Sequence, residues 1–325
     1  MNYIVFDLEW NQCPTGKKQE NPLLPFEIIQ IGAVKLNRNL VEIGRFQENI
    51  RPQVYTEFHS RTQEILEMRM EDFVNADVFP RVCRRFLDWC GSKVRYCTWG
   101  PLDLLELQRN MRYYGMENTL HFPLRYYDIQ KLFSIRCQDS KNRRSLQDAV
   151  QLLSLPTKLR FHHALCDSLY TGAVLRTLDM DMVTANYSID YFRTPANKKE
   201  EIHARFADSV KYISRSFSGR GEAMHDRGVT SMKCFLCHTP LKKEFRWFLG
   251  SSRNYFCLAR CPQHGWLKGK IRIKKTESWP DRVFCIKTIH LISDEEALAL
   301  IEKRASILEK ESLREIRRSE KTADA

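Results

Sequence analysis

The run Tyr3-Ile4-Val5-Phe6-Asp7-Leu8-Glu9 limits the fold more than any other stretch of the chain. Its apolar residues read as a short buried strand over residues 2–9, with acids at the end. A strand repeats every two residues, so Asp7 and Glu9 share one face. Two bare carboxylates side by side repel each other and resist burial unless a cation lies between them. Hard oxygen ligands of this kind suit Mg²⁺ or Mn²⁺. Taken alone, the pattern is weak evidence for a site and describes more readily an exposed strand end with two solvated acids.

Further strands are expected at residues 27–36 and 41–50, joined by the turn Asn37-Arg38-Asn39, and at 94–99 and 124–129. Helical spacing of Ala76, Phe79, Val82, Cys83, Phe86, Leu87 and Cys90 predicts a helix over 76–90. Others are predicted at 103–114, at 145–153 behind a Ser145 N-cap, and at 164–178, where Leu165, Leu169, Ala173 and Leu175 are available for packing. Hairpin strands followed by strands alternating with helices give an α/β fold, a mixed sheet flanked by helices, over residues 1–180. Residues 181–228 are polar and irregular and read as a linker, with Ser214–Gly221 as a flexible connector. Residues 229–292 form a small aromatic, Cys-rich, β-rich unit. Residues 293–325 form a charged C-terminal helix and tail, with Ala297, Leu298, Ile301, Ala305 and Leu308 at helical spacing.

The net charge of +12 is unevenly placed. Residues 1–190 hold 24 Lys/Arg against 23 Asp/Glu, and residues 191–325 hold 28 against 17. Positive charge concentrated in the second part favours polyanions, because neutralised phosphates release counterions. No apolar run approaches the ~18 residues a membrane helix needs, so no membrane partner is expected. The N-terminal stretch lacks the basic segment of a secretory signal, and the simplest address is cytoplasmic. Eleven Cys fit no closed disulfide set; four of them crowd into residues 234–261, which suits a reducing compartment with one metal site.

Three further elements bear on Asp7 and Glu9. Asp103 follows a strand across Trp99-Gly100-Pro101 and opens a helix, where an acid is also favourable for the helix alone. Asp167 lies early on a helix whose other positions are largely apolar. His162, five residues back and just ahead of that helix, can swing over the same site from a loop, and an imidazole is the side chain best suited to take a proton from water around neutral pH. His163 is its rival, and would be a simple helix neighbour of Asp167 if the helix began earlier.

In this order D-x-E, then Asp after a Trp-Gly turn, then H-x₄-D, the chain resembles the DEDDh 3′→5′ exonucleases over residues 1–180. Glu27-Ile28-Ile29-Gln30-Ile31-Gly32-Ala33 is similar to that family's second strand, and Ser145-Leu146-Gln147-Asp148-Ala149 with His162–Asp167 to its third-motif region; the nearest branch is the Eri-type and KapD-like one. The resemblance implies a ribonuclease H-like fold. It implies two Mg²⁺ or Mn²⁺ ions held by Asp7, Glu9, Asp103 and Asp167, with His162 as general base. The expected partner is nucleic acid with a single-stranded 3′ end, RNA favoured over DNA, cut to 5′-monophosphates. Leu8 would offer its backbone to the last nucleotide. Trp10 and Trp99 would either stack on a base, worth ~1–3 kcal/mol, or pack in the core. Asn11 and Gln12 stand where they could touch sugar or phosphate.

In the second part, Cys234-Phe235-Leu236-Cys237 and Cys261-Pro262-Gln263-His264-Gly265 look like the two knuckles of a zinc ribbon. One structural Zn²⁺ is expected on Cys234, Cys237, Cys261 and His264, with Cys257 in reserve; buried thiols are the plain alternative. A unit this small has little core, so the metal would supply much of its folding energy. Lys268, Lys270, Arg272 and Lys274 share one strand parity, a rail for phosphates. A different class of function would make this unit a dock for a protein partner, with weak or regulatory catalysis.

Overall fold

A computed structural model describes residues 1–66, 68–139, 142–251 and 253–323. The chain divides into two units, Met1–Asp190 and Tyr191–Ala325. In chain order the first contains β1 (Asn2–Asn11), β2 (Glu27–Leu36), β3 (Glu42–Asn49), α1 (Ser60–Leu66), α2 (Phe79–Cys90), β4 (Val94–Thr98), α3 (Leu102–Tyr113), β5 (Arg125–Asp128), α4 (Ile129–Arg136), α5 (Leu146–Leu152), α6 (Ala164–Arg176), α7 (Met180–Ala185) and β6 (Ser188–Ile189). Its sheet runs β3-β2-β1-β4-β5-β6. The first three strands are antiparallel, β4 and β5 run parallel to β1, and β6 is antiparallel to β5. This is the mixed sheet flanked by helices that the sequence predicts.

Alternation along β1 sorts its side chains into two cores. Ile4, Phe6 and Leu8 pack with Phe79, Phe86, Leu104 and Leu107 of α2 and α3. Tyr3 and Val5 pack on the other side with Leu132, Tyr170 and Val174 of α4 and α6. Asp7 and Glu9 follow Val5 in parity, so they belong to the α6 side of the sheet. Ser145 caps α5 as expected, its hydroxyl accepting from Asp148 N at 3.0 Å.

Helix α6 meets the sheet through small residues. Ala164, Ser168 and Gly172, one turn apart, are buried against β2. Of the residues expected to pack, Leu175 is buried and Leu169 packs at the edge of the core, while Leu165 and Ala173 are only half-buried. The reason is distance: at Gly32 the helix backbone comes so near that a Cβ there would overlap Leu165 N and Ala164 C. A glycine inside a strand marks such an approach. Ser168 Oγ donates to Gly32 O at 2.8 Å and so satisfies a hydroxyl buried at that contact.

The second unit is larger than the expected ribbon. It contains β7 (Ile202–Arg205), β8 (Ser209–Ile213), α8 (Arg220–His225), α9 (Arg227–Thr230), β9 (Lys243–Ser251), β10 (Asn254–Cys261), β11 (Gly265–Lys275), β12 (Val283–Leu291) and α10 (Asp294–Ala323). These strands form one antiparallel sheet, β7-β8-β12-β11-β10-β9. Residues 181–228, read as a linker, therefore supply α7 and β6 to the first unit and two strands and two helices to the second. Their strands are short, and β8 finds its partner β12 far along the chain, 79 residues later at Val210↔Ile289, a pairing no local pattern announces. Met232, Phe235, Phe217 and Val229 cover one sheet face. Helix α10 covers part of the other through Ala297 and Leu300, which pack with Phe245, Phe256 and Leu258. Leu298, Ile301 and Leu308 of the expected stripe stay exposed. No helix among the described residues is long and apolar enough to cross a membrane.

Two glycines of the α6 contact should respond in opposite ways. Gly32→Ala should cost on the order of 3 kcal/mol, because rigid backbone opposes the new methyl. Gly172→Ala should be neutral or stabilising by up to about 1 kcal/mol, since its Cβ would stand an ordinary 3.5 Å from Val34 Cγ1. Urea unfolding midpoints measure both; equal effects would refute the close-approach account.

Candidate active site and metal centre

The D-x-E pair at the end of β1 gains its third carboxylate from α6. Asp7 is the cross-strand partner of Gly32, the residue on which α6 rests. Asp167, in the first turn of α6, is thereby delivered to the same face. Ligand oxygens of Asp7, Glu9 and Asp167 lie within 4.8 Å of one another. Asp103 comes from the start of α3 and lies outside that tight group. Its Oδ1 accepts the Leu8 amide at 3.3 Å, between the two acids of β1. All four expected carboxylates thus gather around one strand end.

Close packing and burial raise the pKa of all four carboxyls. Burial, then the charges of Asp103, Glu9 and Asp167, push the Asp7 carboxyl well above its ordinary range. Burial, then Asp167 and Asp103, raise Glu9 to about 8. Burial raises Asp103 to about 7, against the hydrogen bond from Leu8. Burial raises Asp167 to about 6, against a bond from the His162 amide. Asp167 Oδ1 is buried and has no hydrogen-bond partner among the described residues, which suits it to accept a positive group. Hard oxygens in this arrangement fit divalent magnesium or manganese.

The two histidines are separated by backbone conformation. His162 is exposed and sits at φ +60°, a left-handed conformation rare for a side chain with a Cβ. Its N–H donates to Asp167 Oδ2 at 3.2 Å, tethering the loop to the acids. His163 is the N-cap residue of α6 and half-buried, with its Nε2 3.2 Å from Gln47 Nε2 of β3. Burial, then Arg160, lowers its pKa. Among the described residues no hydrogen bond engages the His162 ring, which leaves that imidazole for chemistry.

Other expected site residues are placed differently. The Leu8 side chain is in the core and its N–H is taken by Asp103, so that amide is not open to a nucleotide. Trp10 packs on Phe26 at 5.4 Å and Trp99 on Phe133 at 6.2 Å; both belong to the cores rather than to a stacking platform. Asn11 is fully buried, donating to Tyr55 O and Glu57 O and accepting from His59 N, so it fastens a loop. Three supporting residues escaped sequence reasoning. Gln30 Oε1 accepts the Ala164 amide at 2.9 Å and so fixes the start of α6. Gly32 admits the helix. Tyr170 stacks on Phe161 at 4.5 Å and exchanges hydrogen bonds with both backbone groups of Leu159, which anchors the His162 loop. A polar residue and a glycine inside the otherwise apolar β2 were the available signal for the first two.

In the second unit, Cys234, Cys237, Cys261 and His264 place one ligand atom each within 4.8 Å of the rest. Cys237 Sγ is 3.6 Å from Cys261 Sγ, and His264 Nδ1 is 3.5 Å from the sulfurs of Cys234 and Cys261. Zinc–sulfur bonds of about 2.3 Å in a tetrahedron set sulfurs about 3.8 Å apart, close to this spacing. Gly265, at φ +82°, turns the β10–β11 hairpin that carries His264. The Thr239 hydroxyl beside Cys237 holds that thiol down to about 6. Cys257 stands apart, fully buried with its Sγ on Phe245 O. Lys268, Lys270, Arg272 and Lys274 do share one face of β11, but α10 packs on that face and only Arg272 is exposed.

Residues 4–175 match the RNase_T family model, described as exonuclease. No curated protein matches the chain. Among solved structures, the nuclease domain of 3′hExo, a DEDDh family member bound to rAMP, aligns with 58% of this chain and 96% of its own, at 20% identity and TM-score 0.49. A 3′-exonuclease recognising a histone mRNA stem-loop aligns with 54% of this chain and 62% of its own, less than two thirds, at 20% identity and TM-score 0.46. E. coli exonuclease I in complex with a dA16 oligonucleotide aligns with 66% of this chain and 54% of its own, at 12% identity and TM-score 0.44.

Raised carboxylate pKa values make a linkage test. The folded protein binds protons that the unfolded chain, with carboxyls near about 4, has already lost. Without added divalent cation or chelator, the melting temperature of the first unit should therefore fall as pH rises from 5 to 8.5, through the values of Asp167, Asp103 and Glu9. Added Mn²⁺ should restore it, by more at pH 8.5 than at pH 6; an increment independent of pH would contradict the coupling. Separately, Cys234→Ser should lower bound zinc per chain, measured by atomic absorption, and lower the melting of the second unit only. Unchanged zinc content would remove Cys234 from the ligands.

Proposed function

This chain belongs to the RNase_T exonuclease family, and from that premise we propose that it trims single-stranded nucleic acid from the 3′ end, RNA in preference to DNA, releasing nucleoside 5′-monophosphates. The observation that carries this reading is the meeting of Asp7, Glu9 and Asp167 oxygens within 4.8 Å, with Asp103 on the Leu8 amide beside them. The preference for RNA rests on the resemblance of the motifs to the DEDDh branch.

Asp7, Glu9, Asp103 and Asp167 would hold two divalent cations, which when bound supply the positive charge that eases deprotonation of water and offsets charge on the phosphoryl and leaving 3′ oxygens. The four acids also fix where the terminal phosphodiester would sit, because ionised carboxylates repel a phosphate that no cation accompanies. His162 takes the proton of the attacking water on its imidazole. The His162 amide on Asp167 Oδ2 holds the backbone of that residue at the acids. Cys234, Cys237, Cys261 and His264 would hold a structural zinc, since four protein ligands leave no open position. The basic second unit draws in the strand, with Arg272 as the exposed member of the β11 row.

Incubating the purified chain with Mg²⁺ and matched 3′-labelled and 5′-labelled RNA and DNA oligonucleotides tests the reading. The 3′ label should leave first as mononucleotide, faster from RNA; internal cuts or early release of the 5′ label would refute it. Asp7→Asn and Asp167→Asn should lose about 10³-fold or more in rate with unchanged circular dichroism. His162→Ala should lose about 10²–10⁴-fold, and His163→Ala about tenfold or less. The reverse ranking would assign the base to His163. His162→Gly should be as slow as the alanine variant yet melt no lower than the parent, because glycine adopts φ +60° without strain.

A further inference from the structure

The second unit carries a cavity of about 480 Å³ that the reaction above leaves unused. That size suits a small organic ligand. Six of the residues lining it are basic, His203, Arg205, Lys211, Lys233, His238 and Lys287, and none is acidic. Strand register explains part of this. His203 of β7 pairs with Tyr212 of β8, which pairs with Lys287 of β12, so the three form one row across the sheet. The His203 ring lies 4.9 Å from the Tyr212 ring, and Lys287 Nζ lies 5.1 Å from it on the other side of the row.

Lys287 is the informative member. It is 6% exposed, and its Nζ donates to Gly228 O at 2.6 Å and Ser231 O at 3.0 Å. Two of its three N–H groups are thus engaged, and among the described residues no carboxylate pairs with it. The acids whose charge reaches it, Asp226 and Glu201, are both held by Arg215, at 3.0 and 2.8 Å. A buried ammonium with no anion is costly. Burial, then the neighbouring Lys243, pushes it down to about 8. Across the segment Arg227–Ser231 lies a second pocket of about 500 Å³, where Arg220, Lys243 and Arg246 stand with Trp247 and Tyr255. Thr230 lines one pocket and Ser231 the other. Cations beside aromatic rings, repeated at neighbouring sites, suit phosphates and bases of one strand.

We propose that the cavity at Lys287 binds a nucleoside phosphate unit, with the phosphate at Lys287 and the base against His203, supplied by an internal nucleotide of the strand being trimmed or by the released mononucleotide. The inference rests on the exonuclease reading, which a separate arm of the test reports.

The full-length Asp7→Asn protein, in which hydrolysis is lost and the Cys/His ligands are untouched, is titrated without chelator with fluorescent rA12 by anisotropy and with AMP by equilibrium dialysis. Two variants are compared, Lys287→Met and the exposed double change His203→Ala/Arg205→Ala, which leaves the core intact. A tenfold weaker Kd for rA12 in both, with a shallower salt dependence, supports the strand as ligand. Loss of one AMP site with rA12 unchanged supports the mononucleotide as ligand. Unchanged binding of both probes in the double variant overturns the proposal, and a melting defect confined to Lys287→Met would then make that lysine a clasp for the Gly228–Ser231 turn. Release of AMP from 3′-labelled rA12 by the parent protein in Mg²⁺ reports the carboxylate site by itself. If rA12 stays uncut while the variants weaken its binding, the exonuclease reading fails and the cavity stands.

Discussion

The acidic site depends on one backbone contact, the seating of α6 on Gly32. A helix normally stands off a sheet by the length of its side chains. Here Ala164, Ser168 and Gly172 remove that spacing on the helix, and Gly32 removes it on the strand. Because Asp7 is the partner of Gly32 across the β1–β2 ladder, the point of closest approach is also the point where Asp7 faces the helix. Asp167 therefore arrives within reach of Asp7 and Glu9 by construction. Ionised together, four buried acids would drive this end of the molecule apart, and their raised pKa values express that cost. The apolar cores on both sides of β1 offset that repulsion, and a divalent cation would remove it.

Much of this was legible in the chain, for local reasons. The strand parity of Asp7 and Glu9, the helix-initiating position of Asp103 and the H-x₄-D spacing are short-range facts that survive folding unchanged. The cysteine and histidine pairs were legible for the same reason, since a turn holds each pair. What was hidden depends on partners far along the chain. Leu165 and Leu169 look like better core residues than Ala164 and Ser168 until the distance to β2 is known. Trp10 and Trp99 adjoin the acids in sequence, but packing turns them toward Phe26 and Phe133. The strands Ile202–Arg205 and Ser209–Ile213 are too short to show alternation against a polar background, and were read as linker.

The second unit separates its charges by face. On one side α10 lies over the sheet with Phe245, Phe256 and Leu258 beneath it, and the cations of β11 are partly drawn into that packing. Lys303 of α10 even stands over Phe256 at 4.6 Å. On the other side the Phe217–Leu241 segment leaves two hollows rimmed by arginine, lysine and aromatic rings. The excess of positive charge in residues 191–325 is therefore not one uniform surface. A polyanion would find depth on the second face and mostly covered side chains on the first.

The stacking of Phe161 on Tyr170, with the paired hydrogen bonds to Leu159, ties the segment before His162 to the middle of α6. Asp167 belongs to the same helix. The imidazole and one of the acids are consequently carried by a single rigid body, while Asp7 and Glu9 are carried by the sheet. Any tilt of that helix would change two distances at once, so proton abstraction and cation affinity are mechanically geared to each other and would be hard to adjust one at a time.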